Sequence, residues 1–447
     1  MGTRIERGEV MRGANVFLIL VMGCGGQGTS TPPVDPGTTS TQPPPNDMGV
    51  APVVSPPRGG PWMPPATVDP PVAHAPPSPL SGATSMLAGV NVADVSTDQG
   101  GGIWAVSDSI VYYLPPGATQ PFTYDQSKGL ARGWRTWQDP YFNGTPEKPA
   151  TLPLTFSSVA GATAGQAVVG NIGAIADRLL VDPNTGAVQR VENLAITHTT
   201  TTDDFYEDHL VRVIATHKII TALDGNLNGT AYIGGWHGFT ALHGLKGDCG
   251  GCTSDFEEHQ HYYGCDSSGE QFGCWDGDVW GLAMSPTGDV WAGDRHFVQL
   301  LSQGSLGPNG GLMDGSFVTH VDVFPGLRDE VHGLAVDAAG GVWVASDGNG
   351  LAYLTPDGLT PMYWSAATTL PKNHLHGAAI DRGGDLWIGT DGAGVARYNA
   401  TDDRWTYYTA ASGLPDDSVN TVYVDQFAPA HRVFIATHKG VTVYEGQ

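Results

Sequence analysis

One phrase recurs along this chain and limits what it can become. Residues 380–392 read Ile-Asp-Arg-Gly-Gly-Asp-Leu-Trp-Ile-Gly-Thr-Asp-Gly, and residues 336–348 read Val-Asp-Ala-Ala-Gly-Gly-Val-Trp-Val-Ala-Ser-Asp-Gly. Looser copies stand at 97–108 around Trp104 and at 285–294 around Trp291. An echo at a fixed interval means one supersecondary unit built many times. Trp343 and Trp387 lie about 44 residues apart, the length of a four-stranded propeller blade.

The unit reads as four short strands. Residues 375–380 form the first, and Asp381 to Gly384 a glycine-rich hairpin turn. Residues 385–390 form the second strand, with Leu386 and Ile388 on one face and Trp387 on the other. Residues 395–398 and 405–408 are the third and fourth, rich in β-formers. The apolar-x-x-apolar pattern of the first strand recurs at Val92, Val159, Leu210, Val279, Val331, Leu375 and Val419. Spread over residues 81–447 this makes seven units of about 52 residues, an all-β, seven-bladed β-propeller whose ring protects its strand edges. The last unit runs out after three strands, so its outer strand is expected near Ser85 to Gly89.

With 447 residues and a formal net charge of −24, the chain lacks the basic surface that nucleic-acid binding needs. Its 62 glycines and 33 prolines punctuate short elements. Residues 1–24 read as a targeting segment: Arg4, Arg7 and Arg12 precede an apolar run, 16–22, too short to span a bilayer. The sequence Val21-Met22-Gly23-Cys24 resembles the bacterial lipobox, which implies lipidation at Cys24, a membrane association by lipid anchor only, and a place in the cell envelope. Gly25 after the cysteine leans towards an outer-membrane lipoprotein; secretion is the alternative. Residues 25–80, rich in Pro, Thr, Ser and Gly, read as a disordered, semi-rigid tether.

The phrase Leu-Trp-Ile-Gly-Thr-Asp-Gly-x-Gly-Val-x-Arg-Tyr at 386–398, followed by Gly-Leu-Pro-Asp-Asp-Ser-Val-Asn at 413–420, resembles the two-component regulator propeller repeat. That family implies a periplasmic sensor-type propeller of seven or fourteen blades. Since no kinase, transmembrane helix or DNA-binding region follows by Gln447, the propeller is expected to carry over and the signalling role is not.

Four cysteines, Cys249, Cys252, Cys265 and Cys274, crowd into an insertion at about 245–275 that offers no strand pattern of its own. With His259 and His261 nearby they suit either a zinc site or two disulfides, and an exported protein favours disulfides. Asp224-Gly225-Asn226-Leu227-Asn228-Gly229 resembles the opening of a calcium loop, but Gly235 stands where the closing Glu belongs, so it reads as a hairpin turn. No nucleophile elbow, P-loop or dinucleotide fingerprint is present.

In a propeller the first strands line the central channel, and the residue after each apolar start should face it. These residues are Ala93, Ala160, Val211, Trp280, His332, His376 and Asn420. Two imidazoles, an indole and an amide thus fall together at one side of the axis. Loops at the same face add Glu330, His374, Asp347 and Asp391, with Asp108, Asp294, Asp416, Asp417 and His438, giving a negative rim. His332 and His376 are candidate ligands for a divalent metal, calcium or zinc. The expectation is a monomeric, extracytoplasmic propeller that binds a small molecule, a glycan or an envelope protein at this mouth. The alternative is a metal-dependent lyase or hydrolase on the same scaffold.

Overall fold

The turn that opens each second strand shows why the repeat folds as it does. Asp98 accepts hydrogen bonds from the backbone of Gly100 and Gly102 and, 3.0 Å away, from the Trp104 indole. Asp381 does the same with Gly383, Asp385 and the Trp387 indole at 2.8 Å. One carboxylate therefore closes the hairpin and satisfies the only polar atom of a tryptophan that is fully buried. Each such indole removes ~200 Å² from water, on the order of 5 kcal/mol before entropy is counted.

The computed structural model describes residues 78–130, 155–172, 176–194, 216–223, 228–235, 238–247, 259–260, 279–294, 297–301, 317–324, 330–356, 361–366, 369–428 and 432–446. Cys24, the targeting segment, the tether up to residue 77, the four clustered cysteines, Leu210, Val211 and the 224–227 turn lie outside the described residues. Among the described residues strands dominate, with short 3-10 turns at Gln126–Lys128 and Ala410–Ser412. None of the described helices is long and apolar enough to cross a membrane.

Seven four-stranded antiparallel sheets form, six of them meanders in chain order. Their inner strands are Asp94–Thr97, Thr155–Gly161, Thr216–Ala222, Gly281–Met284, Val331–Val336, Leu375–Ile380 and Val419–Val424, which number blades 1 to 7. Blade 7 takes its outer strand from Ala83–Met86, which pairs with Gly440–Glu445 from Ala83 opposite Tyr444 to Met86 opposite Val441. The residues before it are part of the ring as well: Ser78 and Leu80 donate to the carbonyls of Tyr407 and Ser412 in blade 6.

The core is not inside the blades but between them. Among the described residues seven apolar clusters appear, one at each interface between successive blades. The cluster of Val92, Val95 and Ala105 with Phe434, Ala436 and Val441 joins blade 1 to blade 7 and closes the circle. Strands buried on both faces read as near-continuous apolar runs for this reason. Main-chain bonds add to the interfaces: Val92, Phe156, Val279 and Val331 each donate to a carbonyl at the end of the preceding blade's second strand, at Thr437, Asp108, Gly235 and Asp294. Blades also approach closely. A Cβ on Gly389 would lie 2.6 Å from Val419 Cγ1, and one on Gly293 would lie 2.5 Å from Val331 Cγ1. In these two blades the glycine two residues after the tryptophan is where the next blade's first residue rests.

Two of the seven expected starts need correction. In blade 2 the residue at the apolar start is Phe156 rather than Val159, inside the strand Thr155–Gly161, and in blade 3 it is Thr216, where the described inner strand begins, with Leu210 outside the described residues. Both blades lack the tryptophan found in the second strands of blades 1, 4, 5 and 6, and in blade 3 a threonine fills the apolar start. The cysteine-bearing insertion is also not strandless: His259–Gln260 pairs with Phe239 and Thr240 as the outer strand of blade 3.

Candidate functional site

With blades 2 and 3 corrected, the position after each start holds Ala93, Ser157, His217, Trp280, His332, His376 and Asn420. In blades 2, 3, 5 and 7 the pairing register skips this position, between Phe156/Ser158, Thr216/Lys218, Val331/Gly333 and Val419/Thr421, and in blade 6 it skips the following residue, Gly377, between His376/Ala378. A bulge of this kind re-aims a side chain out of the ladder. Four successive rings then meet across four blades. His217 stacks on Trp280 with centroids 3.5 Å apart, Trp280 on His332 at 5.1 Å, and His332 tilts against His376 at 5.1 Å.

Outside the middle of this arc the position has a uniform task. Ser157 donates to the carbonyl of Thr216, Asn420 donates to the carbonyl of Val92 at 2.8 Å, and His376 bonds the Val419 backbone. In each case the partner is the first residue of the next blade. In the middle a polar atom is left over: His217 Nε2, Trp280 Nε1 and His332 Nε2 are buried without a protein partner. Buried nitrogens ordinarily meet a hydrogen-bond partner or ordered water.

Lys218, next to His217, reaches Asp94 of blade 1 at 3.0 Å, and Asp94 also accepts from the Val159 backbone. Gln426 of blade 7 reaches Thr221 of blade 3 at 3.2 Å, and Phe427 packs into the cluster between blades 2 and 3. These bonds join blades that are not neighbours.

Asp347 supplies the acidic side. It sits at the end of the second strand of blade 5, held by its N–H on the Glu330 carbonyl and by a bridge to His374. Its Oδ1 lies 2.8 Å from His374 Nδ1 and 3.5 Å from His376 Nε2. The hydrogen bond with His376 outweighs burial and, with that from His374, holds the Asp347 carboxyl well below the usual carboxylate range. Burial works against a charged His376, but Asp347, and at longer range Asp391, raise its pKa. Burial pushes His332 down to about 4 and His217 down to about 3, each aided by the neighbouring imidazole. Two neutral imidazoles therefore stand beside a protonatable one paired with a carboxylate.

Of the residues expected at the mouth, Trp280, His332, His376 and Asp347 come together, and His374 joins through Asp347. Asn420 instead ties blade 7 to blade 1. Glu330 contributes its carbonyl, and Asp391 is exposed with its N–H on the His374 carbonyl. Ala160 is buried in the cluster between blades 2 and 3, away from this position. The rim is partly neutralised, since Lys439 pairs with Asp416, while Asp417 accepts from the Ala410 N–H. His217 was hidden by the misplaced start. The signal was present: Thr-His-Lys-Ile-Ile at 216–220 aligns with Val-His-Gly-Leu-Ala at 331–335. A separate surface cleft of about 410 Å³ between the outer strands of blades 1 and 2, beside Phe122, Tyr124 and Val188, brings no such cluster together.

No protein-family model matches the chain, and no curated protein matches it in sequence. Solved structures do match in fold. An extracellular domain assigned to a hybrid two component system, BT3049 of B. thetaiotaomicron, aligns with a TM-score of 0.51 and 14% identity, covering 83% of this chain and 42% of that one. An extracellular domain assigned to a one component system, BT4673 of the same organism, gives 0.49 and 14%, covering 82% and 40%. This chain therefore spans about two-fifths of the length of either. Its fold is the seven-bladed β-propeller, and its likeness to the BT3049 extracellular domain is one of fold.

Proposed function

We propose that this chain is an extracytoplasmic, sensor-type propeller that captures a small polar ligand in the recess at its channel mouth. The observation that carries this reading is the run of four rings at one register position of four successive blades, with three buried nitrogens lacking protein partners. A rigid ring that presents polar atoms in a recess is suited to recognition, since little reorganisation is needed when a ligand arrives. The likeness in fold to the BT3049 extracellular domain supports placement outside the cytoplasm, as do the targeting segment and the lipobox-like Cys24. In this reading a lipid on Cys24 and the proline-rich tether hold the propeller off the membrane. The partner is a small molecule or a short glycan rather than a nucleic acid, because the net charge of −24 repels phosphate.

A thermal-shift screen of soluble oligosaccharides and small polar metabolites tests the binding claim. The expected result is a hit that stabilises the native chain but neither Trp280→Ala nor His217→Ala. Stabilisation that persists in both variants would place the ligand elsewhere. For the anchor, Cys24→Ser should move the protein from the membrane fraction to the soluble one in a bacterial host.

A further inference from the structure

We propose that His332, Asp347 and His376 form a binding site for a late first-row divalent metal, with zinc the best match. One ligand atom from each of the three lies within 4.8 Å of the other two. The pair His376 Nε2 and Asp347 Oδ1 is already 3.5 Å apart. Around a tetrahedral zinc with bonds of ~2.0–2.1 Å, ligand atoms stand roughly 3.4 Å apart. Small side-chain rotations would close the set.

The surroundings supply what a metal centre needs beyond its ligands. A ligating imidazole ordinarily donates its other N–H to a carbonyl or carboxylate, which fixes the ring. His376 bonds the Val419 backbone while its Nε2 faces Asp347. His374 Nδ1 reaches Asp347 Oδ1 at 2.8 Å and orients the carboxylate. His332 offers a buried Nε2 with no protein partner, and Trp280 packs against its ring. The donor set is two nitrogens and one oxygen. Calcium prefers all-oxygen shells, whereas imidazoles suit zinc, copper, nickel and iron. The set thus separates the two metals considered from sequence, in favour of zinc. Three protein ligands leave a fourth position open. If the ring arc is the ligand site, that position would hold the ligand's polar group; only this last step rests on the function proposed above.

The test uses the full chain, stripped with chelator and dialysed, then titrated with Zn²⁺ and separately with Co²⁺. The expected result is one metal per chain, and a Co²⁺ visible spectrum of nitrogen and oxygen ligation. His332→Ala and His376→Ala should each weaken binding at least 100-fold, and the near-isosteric Asp347→Asn at least 10-fold. His374→Ala, acting through Asp347, should weaken it roughly 10-fold. Trp280→Phe should leave metal binding intact even where it abolishes ligand capture, so the two readings fail separately. A variant with Cys249, Cys252, Cys265 and Cys274 all changed to Ser should retain the metal. Circular dichroism confirms that each variant is folded, and Asp347→Asn decides the matter should a histidine variant not fold. The proposal is overturned by sub-stoichiometric uptake, by a thiolate charge-transfer band, or by metal content indifferent to Asp347→Asn and the histidine variants.

Discussion

The imidazole of His217 lies nearly parallel to the indole of Trp280, at an interplanar angle of 17° and a centroid separation of 3.5 Å, although the two belong to different blades. The contact makes the mouth part of the interface between blades 3 and 4. Trp280→Ala should therefore weaken the fold as well as binding, by about 2 kcal/mol for a partly buried aromatic. Chemical denaturation read by far-UV circular dichroism measures it. A variant as stable as the parent would mean that the stack contributes nothing to the ring.

His217 also predicts a pH dependence. Burial, with His332 nearby, pushes its pKa from an ordinary 6.5 down to about 3. Below pH 6.5 the unfolded ring binds a proton that the folded ring refuses, so stability rises with pH across that window. Its contribution is complete above about pH 6.5 and is lost on acidification, by up to ~1.4 kcal/mol per pH unit. Denaturant midpoints at pH 7, 6 and 5 should fall in sequence, and His217→Asn should flatten the slope. An unchanged slope in that variant would remove His217 as its source.

The close approach of blades 6 and 7 predicts the effect of a single methyl group. A Cβ on Gly389 would meet the His376 carbonyl at 2.4 Å as well as Val419 Cγ1. Because one of these atoms is main chain, the interface must open. Gly389→Ala should cost about 2–3 kcal/mol, visible as a lowered melting temperature, and should disturb His376, which pairs with Gly389. A neutral outcome would mean that the blades slide freely.

Closure of the ring depends on the strand Ala83–Met86. Removing residues 1–77 should leave the melting temperature unchanged, whereas removing residues 1–89 exposes the edge of Gly440–Glu445 and the cluster around Val92. The longer deletion should cost several kcal/mol and favour association between chains. Equal stability of the two truncations would show that the strand is dispensable.

Asp381 predicts the value of the repeated turn. Asp381→Ala strands the Trp387 indole N–H in a fully buried position and frees two turn amides. A cost of about 2–3 kcal/mol follows from leaving such groups unpaired. Asp381→Asn keeps an acceptor and should lose about half as much. Thermal unfolding of the pair tests the ranking.

The repeat around Trp343 and Trp387 was enough to show the blade, because the turn chemistry of Asp381 and the burial of Trp387 are local events written within a few residues; the apolar first-strand pattern pointed to seven blades, and the strand that closes the ring is Ala83–Met86, slightly before the expected Ser85 to Gly89. Where those local marks are missing, at Phe156 and Thr216, the register slipped and His217 went unseen. The meeting of Trp280, His332 and His376 was legible too, since equivalent positions of a ring must be neighbours. What only the tertiary structure decided is the orientation within that meeting: that Asp347 of blade 5 turns to His374 and His376 of blade 6, that Asn420 ties blades together, and that three nitrogens are left without partners. Sequence periodicity specifies which residues share a level of the ring. Which atoms face one another depends on how closely adjacent blades pack, and that distance is set by contacts such as Gly389 on Val419, between residues the chain brings together only once the ring is closed.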